Sequence, residues 1–231
     1  MAEENEEGVE PWPENDEKFY KDAKDYWTGI EPTVDGMLGG FEKISPTDIN
    51  GSKAFLRPFL KVGKGKTKNH RALDCGAGIG RITKRLLLPM FDKVDMVELN
   101  QKFLDAAPTF IGQDANRVER FICSGLQDFT PEPGRYDVIW CQWVLGHLTE
   151  PHLVDFFKRC QKGLAEDGVL VVKENVNSST ETDFDDVDSS FTRCKEDYVS
   201  AMKKSGLTIL KDEKQKGFPK GLYTVFMFAL K

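Results

Sequence analysis

The chain has 231 residues, of which 39% are hydrophobic and 30% are charged. This length suits one α/β domain with a sizeable core, and the lack of a long apolar run argues against a membrane span. The formal net charge is -6, but eight of the acidic residues lie in the first 17 positions, which contain no Lys or Arg. The rest of the chain carries 30 acidic and 32 basic residues, so it lacks the strongly basic surface that binds nucleic acid.

The chain is predicted to consist of an arm and a domain. Residues 1–17 are interpreted as a disordered acidic arm, and residues 18–231 as a single domain. Within this domain, residues 18–70 are expected to form an N-terminal helical lid and the first helices. Residues 71–231 are expected to form the core.

Three features define the N-terminal part. Apolar residues recur at helical intervals from Phe19 to Trp27, which predicts an amphipathic helix. The segment EPTVDGMLGG, residues 31–40, then ends that helix, and its proline and glycines favour a loop that can lie over a site as a lid. A further helix is predicted to open near Ser45 or Thr47.

From Arg71 onward, predicted strands alternate with helices. The strands are RALDC, KVDMVEL, VERFICSG, YDVIWCQWV and GVLVVKENV. Nearly continuous apolar strands in βα units indicate a parallel sheet with helices on both faces. After a helix near Arg193 to Ser205, two β-like runs joined by a polar connector are expected to pair antiparallel, so that the sheet is mixed at one edge.

A glycine-rich turn follows the first strand and opens a helix. Gly76, Gly78 and Gly80 let the backbone approach a ligand closely at the carboxyl edge of the sheet. Their G-x-G-x-G spacing differs from the G-x-G-x-x-G of dinucleotide-binding proteins, which argues against NAD. Glu98 ends the second strand, where a carboxylate can accept hydrogen bonds from ribose hydroxyls. Arg81 can pair with a ligand carboxylate, a group that S-adenosylmethionine carries and NAD lacks.

Motifs along the whole domain resemble those of one family. In chain order they include PTVDGMLGG, LDCGAGIGRITKRLLLP, VDMVE, GLQDFTPEP, YDVIWCQWVLGHL and DDVDSS. The chain is similar to the α-N-terminal protein methyltransferases, which are class I S-adenosylmethionine-dependent enzymes. The resemblance implies an α/β fold with a Rossmann-like seven-stranded mixed sheet, an antiparallel C-terminal hairpin strand, helices on both faces and an N-terminal helical extension. It also implies methyl transfer to the free α-amino group of proteins that begin X-Pro-Lys once the initiator Met is removed.

The same resemblance implies where the ligands bind. The cofactor site is expected at Gly76, Arg81, Glu98, Gly125, Leu126 and Gln142. Family members tend to carry Asp where this chain has Glu98, which changes the reach of the carboxylate by one methylene. The peptide channel is expected at Trp27, Leu38, Gly39, Ile44, Trp143, Asn175, Asp185, Asp188 and Tyr223.

Methyl transfer requires a neutral amine, because an ammonium group has no lone pair for in-line attack. An α-amino group has a pKa of about 7.7 to 8.0, so a base has to contribute only about 1 kcal/mol at neutral pH. The carboxylates of Asp185, Asp186 and Asp188 attract a cationic substrate, but they also raise the pKa of its amine. We therefore predict that Asp188 and His147 share the proton. Asn175 is predicted to hold the amine, and Asp185 to pair with the substrate lysine.

Several alternatives stay open on sequence alone. The chain could methylate a small amine with the same cofactor loop, or it could read N-termini without turnover. Asp188 could instead cap the helix that follows, and His152 is interpreted as structural. DFDDVDSS lacks the glycine and the distal glutamate of an EF-hand loop, so no metal is expected.

The cellular context is inferred from cysteine usage. Five scattered cysteines without C-x-x-C spacing favour a reducing compartment. Because the N-terminus also lacks the pattern of a signal peptide, the nucleus and cytoplasm are expected. The expected partners are protein or peptide N-termini rather than nucleic acid or membrane, and the oligomeric state is left open.

Overall fold

The computed structural model describes residues 15–60, 63, 66–179 and 181–231. The strands are β1 Arg71–Cys75, β2 Lys93–Glu98, β3 Val118–Cys123, β4 Tyr136–Gln142, β5 Leu164–Val176, β6 Asp183–Asp185, β7 Ser190–Thr192, β8 Ile209–Lys214 and β9 Thr224–Leu230. The α-helices are α1 Asp16–Gly29, α2 Val34–Met37, α3 Ser45–Leu56, α4 Gln101–Ile111, α5 Glu150–Gly163 and α6 Lys195–Lys204. Short 3-10 turns include Glu42–Ile44, Gly112–Arg117 and Leu145–His147.

Seven strands form one mixed sheet in the order β3-β2-β1-β4-β5-β9-β8. The five strands from β3 to β5 pair in parallel, and β9 is antiparallel to both β5 and β8. The predicted parallel sheet with a mixed C-terminal edge is confirmed. In a sheet of parallel strands the carboxyl ends meet at one edge, so the loops after β1, β2, β4 and β5 converge there.

Buried side chains cover both faces of the sheet. On β4, Val138 and Trp140 belong to one apolar cluster, whereas Ile139 and Cys141 belong to the other. Successive residues of a strand point to opposite faces, so a strand that is buried on both sides is apolar at most of its positions. This explains why the apolar runs in the sequence predict the strands so directly.

The N-terminal helix begins earlier than the predicted arm allows. Asn15 caps α1, and its side-chain oxygen accepts a hydrogen bond from the N–H of Glu17 at 2.7 Å. Asp16 and Glu17 therefore belong to α1 rather than to the arm. Residues 1–14 lie outside the described residues, so the disorder of the arm stays a prediction. Positions 61, 62, 64 and 65 also lie outside.

The helix after the glycine turn is not a regular α-helix. Residues Thr83–Leu87 have π-helical hydrogen bonding. The carboxylate of Asp74 at the end of β1 accepts hydrogen bonds from the N–H and the hydroxyl of Thr83, at 2.9 and 2.6 Å. Burial raises the pKa of Asp74 to about 7. A buried carboxyl group in an apolar strand thus fixes the start of this helix.

A small hairpin that the sequence does not predict lies beside α1. Strands β6 and β7 pair antiparallel, and Phe184 lies opposite Phe191. The Phe19 ring of α1 stacks on Phe191 with 5.4 Å between centroids, and the hydroxyl of Ser189 donates to the carbonyl of Phe19. The hairpin therefore links the N-terminal helix to the DDVDSS segment, which contains Asp188.

The described residues contain no helix that is long and apolar enough to cross a membrane. They also contain no group of three or more His, Cys, Asp or Glu side chains that could hold a metal ion.

Candidate active site

The glycine turn lies at the carboxyl end of β1. Gly76, Gly78 and Gly80 have φ angles of 67°, 54° and 87°, a region that residues with a side chain rarely adopt. A Cβ atom on Gly76 would lie 2.4 Å from Cγ2 of Val144, and one on Gly78 would lie 2.5 Å from Sδ of Met37. Glycine is therefore required here both by the backbone conformation and by the close packing around it.

A cavity of about 790 Å³ opens beside this turn. Four of the six residues predicted to bind the cofactor lie in its wall: Gly76, Glu98, Gly125 and Leu126. The Glu98 carboxylate accepts hydrogen bonds from the N–H of Gly78 at 3.0 Å and from the N–H of Asn100 at 2.9 Å. Burial raises the pKa of Glu98, and these N–H donors oppose that rise.

The cavity fits S-adenosylmethionine. Its glycine turn brings bare backbone to the cavity wall, where a Cβ atom on Gly76 would collide with Val144 of the same wall, and the apolar side chains of Val97, Phe103 and Leu126 provide surface for an aromatic base. Each oxygen of Glu98 accepts one backbone N–H and keeps a second lone pair, so the carboxylate can also accept from the two ribose hydroxyls.

Glu98→Ala is expected to weaken the binding of S-adenosylhomocysteine by about 10- to 100-fold, because two hydrogen bonds to a charged group are lost. Glu98→Asp is the matched control, because it keeps the carboxylate and shortens the side chain by one methylene. Isothermal titration calorimetry measures both affinities, and thermal unfolding checks that the variants fold. Unchanged affinity in the Ala variant would place the nucleoside elsewhere.

Arg81 and Gln142 lie in a buried polar network instead of in the wall of this cavity. Arg81 forms an ion pair with Asp48 of α3 at 2.7 Å, and the side-chain amide of Gln142 donates to the same carboxylate at 2.8 Å. Lys173 of β5 forms a second ion pair with Asp48 at 2.5 Å. The sequence did not point to Asp48 or Lys173. The cofactor contacts of Arg81 and Gln142 stay predictions.

A second cavity of about 1000 Å³ adjoins the first. Five of the residues predicted for substrate contact or catalysis line this cavity only: Leu38, Ile44, Asn175, Asp188 and Tyr223. Trp27, Trp143 and His147 line both cavities. The walls of the two cavities therefore meet at these three side chains.

Two residues predicted for the peptide channel lie outside its wall. Gly39 follows α2 with a φ angle of 55°, next to the lining residue Leu38. Asp185 is exposed at the end of β6, and its carboxylate accepts a hydrogen bond from the N–H of Val187 at 2.9 Å. Their contacts with substrate stay predictions.

The hydrogen bonds of His147 define its protonation state. Its Nδ1 lies 3.1 Å from the carbonyl oxygen of Ser189, and its Nε2 accepts from the indole N–H of Trp27 at 2.9 Å. A carbonyl only accepts and an indole N–H only donates, so His147 is neutral with its proton on Nδ1. Burial lowers the pKa of His147, and the negative charge of Asp188 opposes this shift.

Trp27→Phe is expected to raise the pKa of His147 by about 0.5 to 1, because the indole N–H stabilises the neutral ring and phenylalanine has no donor. Titration of the His147 resonances by NMR measures this change. Tyr20→Phe is the control from the same helix as Trp27, since it removes a hydroxyl that lies 2.6 Å from Nδ1 of His152 and should leave the pKa of His147 unchanged. An unchanged pKa in Trp27→Phe would contradict the assigned tautomer.

The lowered pKa of His147 also sets a direction for stability. The folded protein holds this ring neutral, while the unfolded chain binds a proton with an ordinary pKa of about 6.5. The unfolded state therefore binds more protons as the pH falls below about 6.5. Above that pH, the ring is neutral in both states and His147 does not lower the free energy of unfolding. As the pH falls from about 6.5 through the pKa of the folded state, the free energy of unfolding decreases.

The fold and the joined cavities define the class of the protein. Class I S-adenosylmethionine-dependent methyltransferases have three features that this structure shows. These are a seven-stranded sheet with one antiparallel strand next to its edge, a glycine turn after β1 and a carboxylate at the end of β2. Residues 15–231 match the family described as AdoMet-dependent proline di-methyltransferases, and the chain belongs to this family.

Individual relatives agree with this assignment. The chain is 53% identical to N-terminal Xaa-Pro-Lys N-methyltransferase 1 of Danio rerio and 50% identical to the protein of the same name from Homo sapiens, over 218 residues in each case. Each alignment covers 94% of this chain and 97% of the relative. The structure of a SAM-dependent methyltransferase from Leishmania major superposes with a TM-score of 0.86 at 36% identity, covering 94% of this chain and 85% of that one.

Proposed function

We propose that the chain transfers methyl groups from S-adenosylmethionine to the free α-amino group of proteins that begin X-Pro-Lys. The names of the Danio rerio and Homo sapiens relatives state this specificity. One observation in the structure carries the proposal: Trp27, Trp143 and His147 line both the cofactor cavity and the acidic second cavity. An amine at the inner end of the second cavity is thereby brought next to the cofactor.

S-adenosylmethionine supplies an electrophilic methyl group on a sulfonium. The task of the chain is to present a neutral amine in line with that methyl group. We assign the holding of the amine to the side-chain carbonyl of Asn175 and to Asp188. Oδ1 of Asp188 is buried and has no hydrogen-bond partner among the described residues, so it is free to accept a proton from the amine. Positioning is expected to contribute more to the rate than proton removal does.

The apolar wall of the second cavity and the hairpin beside it suit the next two residues of such a substrate. Leu38 and Ile44 provide an apolar wall for a proline, whose fixed φ angle reduces the entropy lost on binding. Asp185 is exposed on the neighbouring hairpin, and we assign to it the pairing with the substrate lysine.

Incubation of the purified protein with labelled S-adenosylmethionine and a six-residue X-Pro-Lys peptide tests the proposal. Label is expected on the free peptide and not on the same peptide with an acetylated N-terminus, because an amide nitrogen has no basic lone pair. Mass spectrometry locates the added methyl group on the α-nitrogen. Label on small amines but not on the peptide would favour a metabolite enzyme, and tight peptide binding without label would favour a reader.

A further inference from the structure

Glu174 is a buried carboxyl group that no part of the proposed mechanism uses. It lies on β5 directly before Asn175 and lines the second cavity, with only 4% of its surface exposed. Its Oε1 atom accepts hydrogen bonds from the N–H of Val144 and the N–H of Leu145, each at 2.9 Å. One carboxylate oxygen thus binds two consecutive backbone amides of the loop that follows β4.

The loop needs such an acceptor because its backbone is strained. Trp143 has a φ angle of 54°, which costs about 1 to 3 kcal/mol for a residue with a bulky side chain. This conformation turns the next two N–H groups toward β5, and the N–H of Trp143 itself donates to the carbonyl of Lys173 at 3.1 Å. Successive amides that point to one side form an anion-binding concavity, and Glu174 occupies it.

A cation holds the same loop by its carbonyl groups. The guanidinium of Arg193 donates to the carbonyl of Leu145 at 2.9 Å and to the carbonyl of Leu148. Glu174 therefore holds the amides of Val144 and Leu145 at the start of the 3-10 turn Leu145–His147, and Arg193 holds the carbonyls of Leu145 and of Leu148, which follows the turn. Trp143 lies two positions before this turn, next to its N-cap Val144, and His147 ends it.

The clamped loop carries two of the three side chains that line both cavities, namely Trp143 and His147. We infer that Glu174 is a positioning residue for methyl transfer, which fixes the Trp143 ring and the His147 imidazole by holding the amides of Val144 and Leu145. This inference rests on the proposed function, because it assigns these two side chains to the reaction. Glu174 acts through them and transfers no proton itself.

The protonation equilibrium of Glu174 agrees with this role. Burial raises its pKa to about 7, and the backbone N–H groups of Leu145 and Val144 oppose the rise. The charged form is thus held at a free-energy cost that an apolar side chain of the same size would avoid. Such a side chain would, however, leave the N–H groups of Val144 and Leu145 without an acceptor.

Two substitutions separate acceptor, charge and volume at this position. Glu174→Gln keeps an oxygen that can accept from both amides but loses the charge, and Glu174→Met keeps the length but has no such acceptor. The Met variant is expected to lower kcat on an X-Pro-Lys peptide by about 100-fold, because a small displacement of catalytic groups has an effect of this size. The Gln variant is expected to keep kcat within about tenfold of wild type. The affinity for S-adenosylhomocysteine should change little in either.

Asp137 offers a matched control at the other end of β4. It is also a buried carboxylate, and its Oδ2 accepts from the N–H groups of His70 and Arg71 at 2.8 and 2.9 Å. Asp137→Asn and Asp137→Leu therefore repeat the same two changes, loss of the charge and loss of the acceptor, at a residue that lines neither cavity. Both are expected to lower the midpoint of thermal unfolding while leaving kcat within about twofold of wild type.

A readout that does not need turnover completes the test. The indole N–H resonance of Trp143, assigned by its loss in Trp143→Phe, is expected to shift or broaden in Glu174→Met and to stay in place in Glu174→Gln and both Asp137 variants. Wild type that fails to methylate the peptide would overturn the proposed function, while this resonance still tests Glu174 separately.

Three results would overturn the inference: a folded Met variant with kcat within about threefold of wild type, a Gln variant that loses about 100-fold or more, or a Trp143 resonance that Glu174→Met leaves unchanged. If the Met variant does not fold, the Gln variant decides, since retained kcat without the charge supports positioning and a large loss contradicts it.

Discussion

Asp188→Asn is expected to lower kcat for an X-Pro-Lys peptide by about 100-fold or more, because the variant loses both a charged acceptor that positions the amine and a group that takes up its proton. Oδ1 of Asp188 is buried without a partner among the described residues, in the wall of the second cavity. A buried polar atom without a partner is costly, so the site is suited to a donor that arrives with the substrate. Asparagine keeps the volume of the side chain but cannot take up the proton.

Steady-state kinetics and calorimetry check this expectation together. The affinity for S-adenosylhomocysteine should not change, because Asp188 does not line the first cavity. Asp185→Asn is the control from the same segment. Asp185 is exposed and lies outside the wall, so Asp185→Asn should leave kcat nearly unchanged. It should raise KM for the peptide, because Asp185 is assigned to pair with the substrate lysine. Full kcat in Asp188→Asn would remove Asp188 from the reaction.

The same variant has a second, spectroscopic consequence. The negative charge of Asp188 raises the pKa of His147, against the larger effect of burial. Removing this charge should therefore lower the pKa of His147 further, and NMR titration of the ring would show it. A pKa of His147 that does not change would mean that the two groups do not interact as the structure indicates.

The hydrogen bonds of these two residues bear on how they share the proposed role. The sequence predicts that Asp188 and His147 share the proton. In the structure, however, the only unprotonated nitrogen of His147 accepts from Trp27, whereas Asp188 has a free oxygen. Asp188 is thus ready to accept the proton, and His147 can do so only after the indole of Trp27 has moved away.

The core of the fold is predictable from sequence because its signals are local. Buried parallel strands are apolar at most positions, and the glycines at 76, 78 and 80 are needed by the backbone of the turn itself. The β6–β7 hairpin carries no such signal. Each strand has three residues, and the hairpin is held by contacts such as that between Ser189 and Phe19, which are 170 positions apart.

The buried charges mark a second limit of sequence reasoning. Asp74, Lys173 and Glu174 are charged residues inside otherwise apolar strands, which is a signal that each must find a partner. That signal identifies the residues but not their partners. Asp48 is the partner of Lys173, 125 positions earlier in a helix of low amphipathicity, and only the packing of α3 on the sheet brings the two together.

Asp48→Asn is expected to lower the free energy of unfolding by about 3 to 5 kcal/mol, the usual effect of breaking a buried ion pair. Asp48 is fully buried and is the common partner of two cations, Arg81 and Lys173. Without its charge, both cations stay in the interior with no carboxylate. Urea unfolding measures the loss, and a change below about 1 kcal/mol would show that other groups carry the network.

Lys173→Met is the matched control, because it removes one cation and leaves Arg81 paired with Asp48. Its loss of stability should be smaller than that of Asp48→Asn, even though Lys173 also donates to Ser52 and Gln215. In the double variant Asp48→Asn, Lys173→Met, the loss should be less than the sum of the two single losses, since one unpaired cation is gone.

The pH dependence of these variants distinguishes the two cations. Burial lowers the pKa of Lys173, and Asp48 opposes this shift, so Asp48→Asn should lower that pKa further. Lys173 can then lose its proton, whereas Arg81 stays charged at any accessible pH. A base with a lowered pKa destabilises the folded state more as the pH falls, so Asp48→Asn should regain stability relative to wild type as the pH rises. The double variant lacks the Lys173 amine, so its loss of stability relative to wild type should not become smaller as the pH rises.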